Sequence, residues 1–327
     1  MNDPILDIQG LTTRFMTRQG QVTAVDHVRL DIAARETVCV VGESGSGKSV
    51  MALSVMGLLP KPHGKITEGR IDFQGRDLIQ LPPREMRRIR GNRISMIFQE
   101  PMTSLNPVFT IGFQIAEVLR KHRGMTRRQA REEAIEMLGL VGIPEPRKRA
   151  GDYPHQLSGG MMQRVMIAMA LSCHPVLMIA DEPTTALDVT IQAQILDLMF
   201  RLKSETGMAL WFITHDLGLV ADIAQKVAVM YAGKIVEQAQ ARELFANPLH
   251  PYTIGLFNSL PGIGGRKGRL TPIQGSVPGL NQLPSGCAFQ DRCASVSSAD
   301  CRIHPPELTE MPSGHWVSCH LYKKSRH

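Results

Sequence analysis

The sequence lacks the segments that would carry a chain into or across a membrane. Its longest largely apolar run, residues 165–179, is broken by two polar residues and a proline, so it falls short of the ~18 apolar residues of a membrane span. The first ten residues hold two Asp and no basic group, unlike the start of a secretory signal peptide. We therefore expect a protein of the cytosol or of the cytosolic face of a membrane.

Most of the chain also lacks an excess of either charge. The net charge is +7, and residues 84–149 alone hold 14 Lys and Arg against 7 Asp and Glu, which equals the whole excess. Such a basic segment could attract anionic lipid or nucleic acid, but arginines scattered over solvated helices give the same count. A chain of 327 residues, 43% of them hydrophobic, is long enough for an α/β domain and an appended module.

The feature around which the remaining motifs are arranged is a loop, Gly42-Glu43-Ser44-Gly45-Ser46-Gly47-Lys48-Ser49. It follows an apolar run typical of a strand and precedes a helix-compatible segment, which is the context that gives the pattern its meaning. The backbone N–H groups of such a loop suit nucleotide phosphates. Lys48 is expected to reach the β- and γ-phosphates, and the Ser49 hydroxyl to ligate Mg²⁺. The nucleotide-binding residues predicted here are Gly42, Ser44, Gly45, Gly47, Lys48 and Ser49.

Two carboxylates follow a second buried strand. Residues 176–180 form a continuous apolar run that ends in Asp181 and Glu182, as in parallel strands buried on both faces. Downstream of a phosphate loop, this pair is suited to Mg²⁺ coordination by Asp181 and to polarisation of the attacking water by Glu182.

Two further polar residues also end predicted strands. Gln99 follows residues 94–98, and its amide is expected to reach the metal or the attacking water. His215 follows residues 209–214 and is expected to hydrogen-bond a γ-phosphate at the same sheet edge. Either side chain, taken alone, would more commonly be solvated or structural.

A second anion site is predicted at the start of a helix. Ser158 is a plausible N-cap, and Gly159 and Gly160 leave backbone N–H groups unobstructed, although turns use the same residues. Phe15 precedes Lys48 by 33 residues and could stack on an adenine ring, with a place in the core as the alternative.

Together these motifs resemble the complete ordered set of an ABC-transporter ATPase. The set consists of residues 42–49, Gln99, 157–163, 176–182, Ala186-Leu187-Asp188 and His215. The resemblance implies that two such domains sandwich two ATP molecules, with Ser158 to Gly160 of one facing the γ-phosphate held by Lys48 of the other. It also adds Asp188 to the nucleotide site. One departure is Met161, which replaces the usual Gln of the family but leaves the backbone donors in place.

A finer resemblance is to the ATPases of dipeptide, oligopeptide and nickel importers, through residues 98–107, 153–157, 181–188 and 247–253. It implies an ATP-hydrolysing motor that works with a second, paralogous ATPase chain, two transmembrane permease subunits and an external solute-binding protein, without nucleic acid. The alternative is a soluble ABC ATPase that acts on nucleic acid or ribosomes. The sequence disfavours it, because only one nucleotide-binding domain is present, without coiled-coil arms or a tandem copy of that domain. A P-loop kinase would not explain residues 157–163.

The expected fold is α/β. A P-loop NTPase core with a mixed, mainly parallel sheet would carry an antiparallel β subdomain and a helical insert at about 100–172. We expect this ATPase domain to span residues 1–245. Residues 246–327 would form a small loop-rich extension, because residues 261–327 hold 7 Pro and 8 Gly.

The extension contains four of the six cysteines, Cys287, Cys293, Cys301 and Cys319, with gaps of five, seven and seventeen residues. Clustered cysteines in a cytosolic protein favour a metal over disulfides, yet the C-x-x-C pairs usual for zinc are missing. Similar tails in peptide-importer ATPases carry a 4Fe-4S cluster, so the resemblance favours this group, with zinc and free thiols or disulfides as alternatives. Cys39 and Cys173 lie in apparent core segments and are expected to be inert.

Overall fold

The computed structural model describes residues 3–18, 20–99, 104–185, 187–259, 272–296 and 299–322. Residues 100–103 of the importer-like loop and Ala186 therefore lie outside the described residues, as do three stretches of the predicted extension, 260–271, 297–298 and 323–327. The strands, numbered along the chain, are β1 (Leu6–Thr17), β2 (Gly20–Ile32), β3 (Thr37–Val41), β4 (Gly64–Phe73), β5 (Arg76–Asp77), β6 (Ile94–Ile97), β7 (Leu177–Asp181), β8 (Ala209–Thr214), β9 (Lys226–Tyr231), β10 (Lys234–Gln240), β11 (Thr309–Met311) and β12 (His315–Val317).

These strands form two sheets. One is antiparallel, in the order β2-β1-β4-β5, and the other has the order β11-β12-β10-β9-β3-β8-β7-β6. In the larger sheet β9, β3, β8, β7 and β6 run parallel, whereas β10, β12 and β11 are antiparallel to their neighbours. The predicted α/β fold, with a mainly parallel core sheet and an antiparallel subdomain, is confirmed.

Helices cover the larger sheet because its strands are apolar on both faces. Every residue of β3 is buried, and alternate residues point to opposite sides: Cys39 and Val41 join one core cluster, and Val38 and Val40 join the other. The α-helices are α1 (Lys48–Met56), α2 (Pro83–Ile89), α3 (Ile111–Arg123), α4 (Arg127–Leu140), α5 (Pro146–Arg149), α6 (Gly159–Leu171), α7 (Val189–Thr206), α8 (Leu217–Ile223), α9 (Ala241–Ala246), α10 (Pro251–Asn258) and α11 (Asp300–Ile303). Single turns of 3-10 helix lie at Pro154–Gln156, Gln290–Arg292, Pro312–Gly314 and His320–Tyr322.

Two of the helices between β6 and β7, α4 and α6, begin at capping residues that the sequence indicates. Thr126 and Gln129 form a reciprocal capping box at the start of α4, and Ser158 caps α6 by accepting from the Met161 N–H. The apolar faces of α3, α4 and α6 pack together in one core cluster. In the part of the chain that the structure describes, none of the helices has the length and apolar character needed to span a membrane.

The predicted extension, residues 246–327, is called the C-terminal segment below. It adds β12 and β11 to the core sheet, although its high Pro and Gly content does not predict strands. β12 pairs with β10 through Glu237 opposite Val317 and Gln238 opposite Trp316. The edge of β10 would otherwise present unpaired backbone groups. The segment is therefore part of the same sheet as the nucleotide-binding core.

One buried carboxylate joins the two parts of the chain. Glu237 is 0% exposed and accepts hydrogen bonds from the backbone N–H groups of Leu249 (2.7 Å) and His250 (2.9 Å). The His315 Nε2 atom of β12 lies 2.7 Å from the Glu237 Oε1 atom and is equally buried. Because a buried carboxylate must be hydrogen-bonded, this arrangement specifies how the C-terminal segment meets the core.

Replacing Glu237 by Ala should lower the free energy of unfolding by about 3–5 kcal/mol, because His315 and two buried backbone donors would lose their acceptor. Denaturant titration followed by circular dichroism measures the change. The matched control is Glu310→Ala on β11, where the side chain is exposed and the expected change is below about 0.5 kcal/mol. Equal stability of the two variants would contradict the structural role of Glu237.

Candidate functional site

The phosphate-type loop connects β3 to α1, and two of its glycines are required by close backbone neighbours. A Cβ atom on Gly42 would lie 2.1 Å from the Met230 carbonyl oxygen, and one on Gly47 would lie 2.5 Å from the Ala24 carbonyl oxygen. Both residues also have positive φ, which side-chain-bearing residues rarely adopt. The loop is thus packed between β2 and β9 and leads directly into the N-terminus of α1.

The Lys48 ammonium group is buried within this loop. Its Nζ atom donates to the carbonyl oxygens of Gly42 (2.7 Å) and Glu43 (3.0 Å). Burial lowers the pKa of Lys48, and the negative charges of Glu182, Asp181 and Glu43 oppose that shift. A cation is thereby held where a loop of backbone donors and the ends of the central strands meet.

The next residue connects the loop to the predicted metal ligand. The Ser49 hydroxyl donates to the Asp181 Oδ1 atom at 3.0 Å, and Asp181 is 4% exposed at the end of β7. Burial raises the pKa of Asp181, an effect that the Ser49 hydrogen bond opposes. A hydroxyl and a carboxylate side by side form an oxygen donor set of the kind that Mg²⁺ prefers.

Glu182 brings together residues from the ends of three strands. Its Oε2 atom accepts from Gln99 Nε2 at 3.3 Å and from Thr185 Oγ1 at 3.0 Å, and it lies 3.4 Å from His215 Nδ1. The backbone of Glu182 is left-handed, with φ of 45°, a conformation that is strained for a residue with a side chain and concentrates at active sites. Three of the predicted site residues thus meet at one carboxylate oxygen.

Thr185 is a member of this cluster that sequence reasoning missed. It follows Glu182 by three residues in a Pro-Thr-Thr turn, and its hydroxyl donates back to the carboxylate. Short hydroxyl side chains in turns commonly bond to nearby residues, so the position of Thr185 in a turn after a catalytic-type carboxylate was the available signal.

The predicted second anion site lies at the capped N-terminus of α6, as expected, but is not bonded to the phosphate-type loop. Ser158 caps α6, and a Cβ atom on Gly160 would lie 2.7 Å from Ile191 Cγ2 on α7. Within the described ranges, no hydrogen bond or ion pair joins Ser158, Gly159 or Gly160 to the phosphate-type loop. Asp188, the N-cap position of α7, is exposed.

The Phe15 side chain is neither fully buried nor fully exposed. Phe15 lies on β1 opposite Gly64 of β4. A Cβ atom on Gly64 would lie 2.8 Å from Phe15 Cε1, so the absence of a side chain at Gly64 makes room for the ring. One face of an aromatic ring is thereby held beside the antiparallel sheet.

The four C-terminal cysteines line one narrow cavity of about 20 Å³, beside His250 and His320. Burial, with a smaller contribution from the neighbouring cysteines, raises the pKa of the Cys287 thiol to about 11. Burial also raises the pKa values of Cys293 and Cys319. The six cysteines, all within the described ranges, form no disulfide.

The described cysteines that line this cavity are not arranged as a metal site. Among the residues that the structure describes, no group of three or more His, Cys, Asp or Glu side chains has the arrangement of a metal site. The 4Fe-4S cluster therefore stays a prediction. Burial raises the thiol pKa values of Cys39 and Cys173 as well, which keeps both groups in the unreactive thiol form.

Comparison with known proteins decides the family. Residues 25–185 match the model of the ABC transporter family, and residues 236–301 match that of the oligopeptide/dipeptide transporter C-terminal region. A putative peptide import ATP-binding protein of Brucella melitensis is 57% identical, covering 97% of this chain and 96% of that protein. The chain belongs to the ATP-binding subunits of peptide-importer ABC transporters.

A second relative and a solved structure are also similar to this chain. The oligopeptide transport ATP-binding protein AppD of Bacillus subtilis is 50% identical, covering 98% of this chain and 97% of its own length. A solved dimeric ATP-binding cassette, described as a post-hydrolysis state bound to ADP and Pi, has a TM-score of 0.65 and 30% identity. It matches 72% of this chain and 99% of its own. As a member of this family, the chain is expected to bind ATP and Mg²⁺.

Replacing Lys48 by Ala should weaken MgATP binding at least about tenfold, because a buried cation facing the phosphates would be lost. Isothermal titration calorimetry with the full chain measures the dissociation constant. Lys121→Ala, which removes an exposed lysine from α3, is the control and should bind as the unaltered chain does. Unchanged affinity in Lys48→Ala would contradict the assignment.

Proposed function

We propose that this chain is the ATP-hydrolysing subunit of an importer of peptides or related small solutes. The observation that carries the proposal is the convergence of Gln99, Thr185 and His215 on Glu182, beside the Ser49–Asp181 pair. The names of the relatives, which specify peptide import and oligopeptide and dipeptide transport, supply the solute class.

The proposed reaction uses the groups at the carboxyl end of the sheet. The loop N–H groups and Lys48 bind the β- and γ-phosphates, while Ser49 and Asp181 would hold Mg²⁺. The ion, when bound, neutralises charge on the phosphate oxygens. Glu182 orients the attacking water and accepts its proton, and its acceptor oxygen is kept in place by Thr185. His215 and Gln99, which contact the same oxygen, are assigned to the γ-phosphate and to the water or metal.

The proposed site is shared between two chains. Ser158, Gly159 and Gly160 present helix N-terminal donors without contacting the loop of their own chain, as expected if they face the γ-phosphate bound by a partner. The likeness to a dimeric cassette supports this arrangement. In this proposal Phe15 stacks on the adenine, and Asp188 belongs to the nucleotide site. The partner would be a paralogous ATPase chain, as in the importers that the sequence resembles.

An exposed aromatic pair is proposed to contact the permease. Phe109 and Phe113 are 43% and 44% exposed, and their rings stack with centroids 4.9 Å apart. They follow residues 99–107 in the sequence, and the neighbouring Val108 is 69% exposed. Apolar groups clustered on a surface are typical of interaction sites. One of the two permease subunits of the complex would dock there, placing the chain peripherally on the cytoplasmic face of the membrane, with a solute-binding protein on the other side.

The arginines of the basic segment do not favour the nucleic-acid alternative. Arg147 pairs with Glu132 at 2.7 Å, and Arg149 pairs with Asp152 at 2.9 Å. Arg123 lies 3.8 Å from Glu133. These three arginines are paired with acids, and arginines scattered over solvated helices give such a charge excess without a nucleic-acid partner. The names of the relatives support transport.

The four cysteines fit a bound iron–sulfur cluster in the chemistry of their donors. Four thiols surround one cavity, and the shift of the Cys287 pKa reflects burial and mutual repulsion, both of which a bound cationic centre offsets. Cys287, Cys293, Cys301 and Cys319 would hold the cluster as thiolates. We propose a 4Fe-4S group here, with zinc as the competing occupant.

Glu182→Gln should leave MgATP binding nearly intact and lower hydrolysis at least about a hundredfold, since the amide cannot accept the proton of water. The assay measures ATP hydrolysis and labelled-peptide uptake in proteoliposomes that contain the permease and the partner ATPase, with the solute-binding protein supplied on the opposite side of the membrane. Glu205→Gln changes an exposed residue of α7 and should retain both activities. Near-normal turnover in Glu182→Gln would refute the catalytic role, and hydrolysis without solute uptake would refute the transport role.

Protein purified without oxygen should contain about four iron atoms and four acid-labile sulfides per chain, as expected for one 4Fe-4S group. Cys293→Ser should lose most of this iron, whereas Cys173→Ser, which alters a cysteine outside the cavity, should retain it. Colorimetric iron and sulfide assays measure both. Zinc without iron, or neither metal, would refute the cluster.

A further inference from the structure

A contact between the C-terminal segment and the phosphate-type loop lies outside the motifs that define the nucleotide site. The Arg292 Nη1 atom donates to the Glu43 Oε2 atom at 3.1 Å, across 249 positions of sequence. The Arg292 side chain is only 7% exposed. Charge-assisted bonds of this kind are stronger than neutral ones, particularly away from water.

Both the N–H group and the carbonyl oxygen of Glu43 form hydrogen bonds. Its N–H donates to the Tyr252 hydroxyl at 2.9 Å, and its carbonyl oxygen accepts from Lys48 Nζ at 3.0 Å and from the Ser46 N–H at 3.2 Å. The Arg292 bond adds the side chain to this set. A movement of Glu43 would therefore also move the carbonyl group that positions the Lys48 ammonium.

Arg292 is itself fixed by several contacts. Its Nε atom donates to the Gln274 carbonyl oxygen at 2.9 Å, and Nη2 donates to the Gly275 carbonyl oxygen at 3.3 Å. The guanidinium carbon lies 5.8 Å from the centre of the Tyr231 ring and 5.9 Å from that of Phe289, within the range of cation–π attraction. The planar group is thus held in one orientation by contacts within the chain itself.

The aromatic rings around Arg292 form one packed cluster with the core. Phe289 lies edge-on to Tyr231 with centroids 5.3 Å apart, and Tyr252 lies 4.6 Å from Tyr231. Tyr231 ends β9 and Tyr252 lies on α10, so the cluster joins the core sheet to the C-terminal segment. It gives the guanidinium a rigid support on the side of the loop that carries Glu43.

We infer that Arg292 and Tyr252 are positioning residues for the phosphate-binding loop, acting through Glu43. Arg292 holds the Glu43 side chain and Tyr252 holds its N–H, and together they keep the loop in the conformation that receives phosphates. The inference rests on the proposed nucleotide-binding role of the loop. Preorganisation of this type raises affinity because the cost of ordering the loop is met before binding.

The test is a double-mutant cycle in the full chain, with MgATP as the titrant in isothermal titration calorimetry. Arg292→Ala and Glu43→Gln should each weaken binding about tenfold, which is the effect of one charge-assisted hydrogen bond. The double variant should bind within about twofold of either single variant, because the two residues act through one contact. Arg292→Lys keeps a cation opposite Glu43 and should recover part of the affinity.

Two controls separate positioning from folding. Arg242→Ala removes an exposed arginine of the matched C-terminal region and should leave the affinity unchanged. In the assembled ATPase, Arg292→Ala should raise the KM for MgATP with kcat altered less than about twofold, since ground-state binding alone is reduced. If Arg292→Ala unfolds the segment, Glu43→Gln still tests the contact without altering the segment.

Three outcomes would overturn the inference. They are an affinity of Arg292→Ala or Glu43→Gln within about twofold of the unaltered chain, single effects that multiply to about a hundredfold in the double variant, and a fall in kcat without a rise in KM. An unaltered chain that fails to bind MgATP would instead refute the proposed function. The two failures are therefore distinguishable.

Discussion

The parallel pairing of β3, β8, β7 and β6 is the constraint on which the site depends. Each of these strands ends at the same edge of the sheet, so the residue that follows each one is delivered to a common place. Gln99, Glu182 and His215 belong to three different segments of the chain, and strand register alone brings them to one oxygen atom. A slip of two residues in any pairing would separate them by several ångströms.

Burial of the charged groups is the second constraint on the site. Lys48 and Asp181 are both held in an environment that disfavours charge, and each is offset by a neighbour: carboxylates near Lys48 and the Ser49 hydroxyl near Asp181. Water-poor surroundings strengthen every remaining electrostatic contact. The site is thus arranged for an anionic ligand and a divalent cation by the same packing that stabilises the domain.

Much of this arrangement was predictable from the sequence because its signals are local. A polar residue at the end of an apolar run, such as Asp181 at the end of β7, indicates both the strand and the sheet edge at which the residue lies. The capping residues Thr126 and Ser158 likewise mark helix starts within three positions. For these features, neighbouring residues contain all the information needed.

The C-terminal segment could not be predicted in this way because its important contacts are distant in sequence. β12 has only three residues, too few for a periodic pattern, and its place beside β10 is set by the buried Glu237. Arg292 and Tyr252 reach Glu43 from positions 249 and 209 residues away. Four clustered cysteines predicted a bound metal group, but nothing local indicated that Arg292, which lies between two of them, contacts the phosphate loop.

The bond between Glu237 and His315 also has a consequence in time. The two residues are 78 positions apart, and a ribosome adds roughly 5–20 residues per second. For roughly 4 to 16 seconds of synthesis, β10 is therefore complete while β12, its neighbour on one side, has not yet been synthesised. During that interval the nascent chain exposes an open strand edge and a carboxylate without its imidazole partner. This half-built sheet is the stage at which we expect the chain to be most exposed to mispairing and most in need of a chaperone.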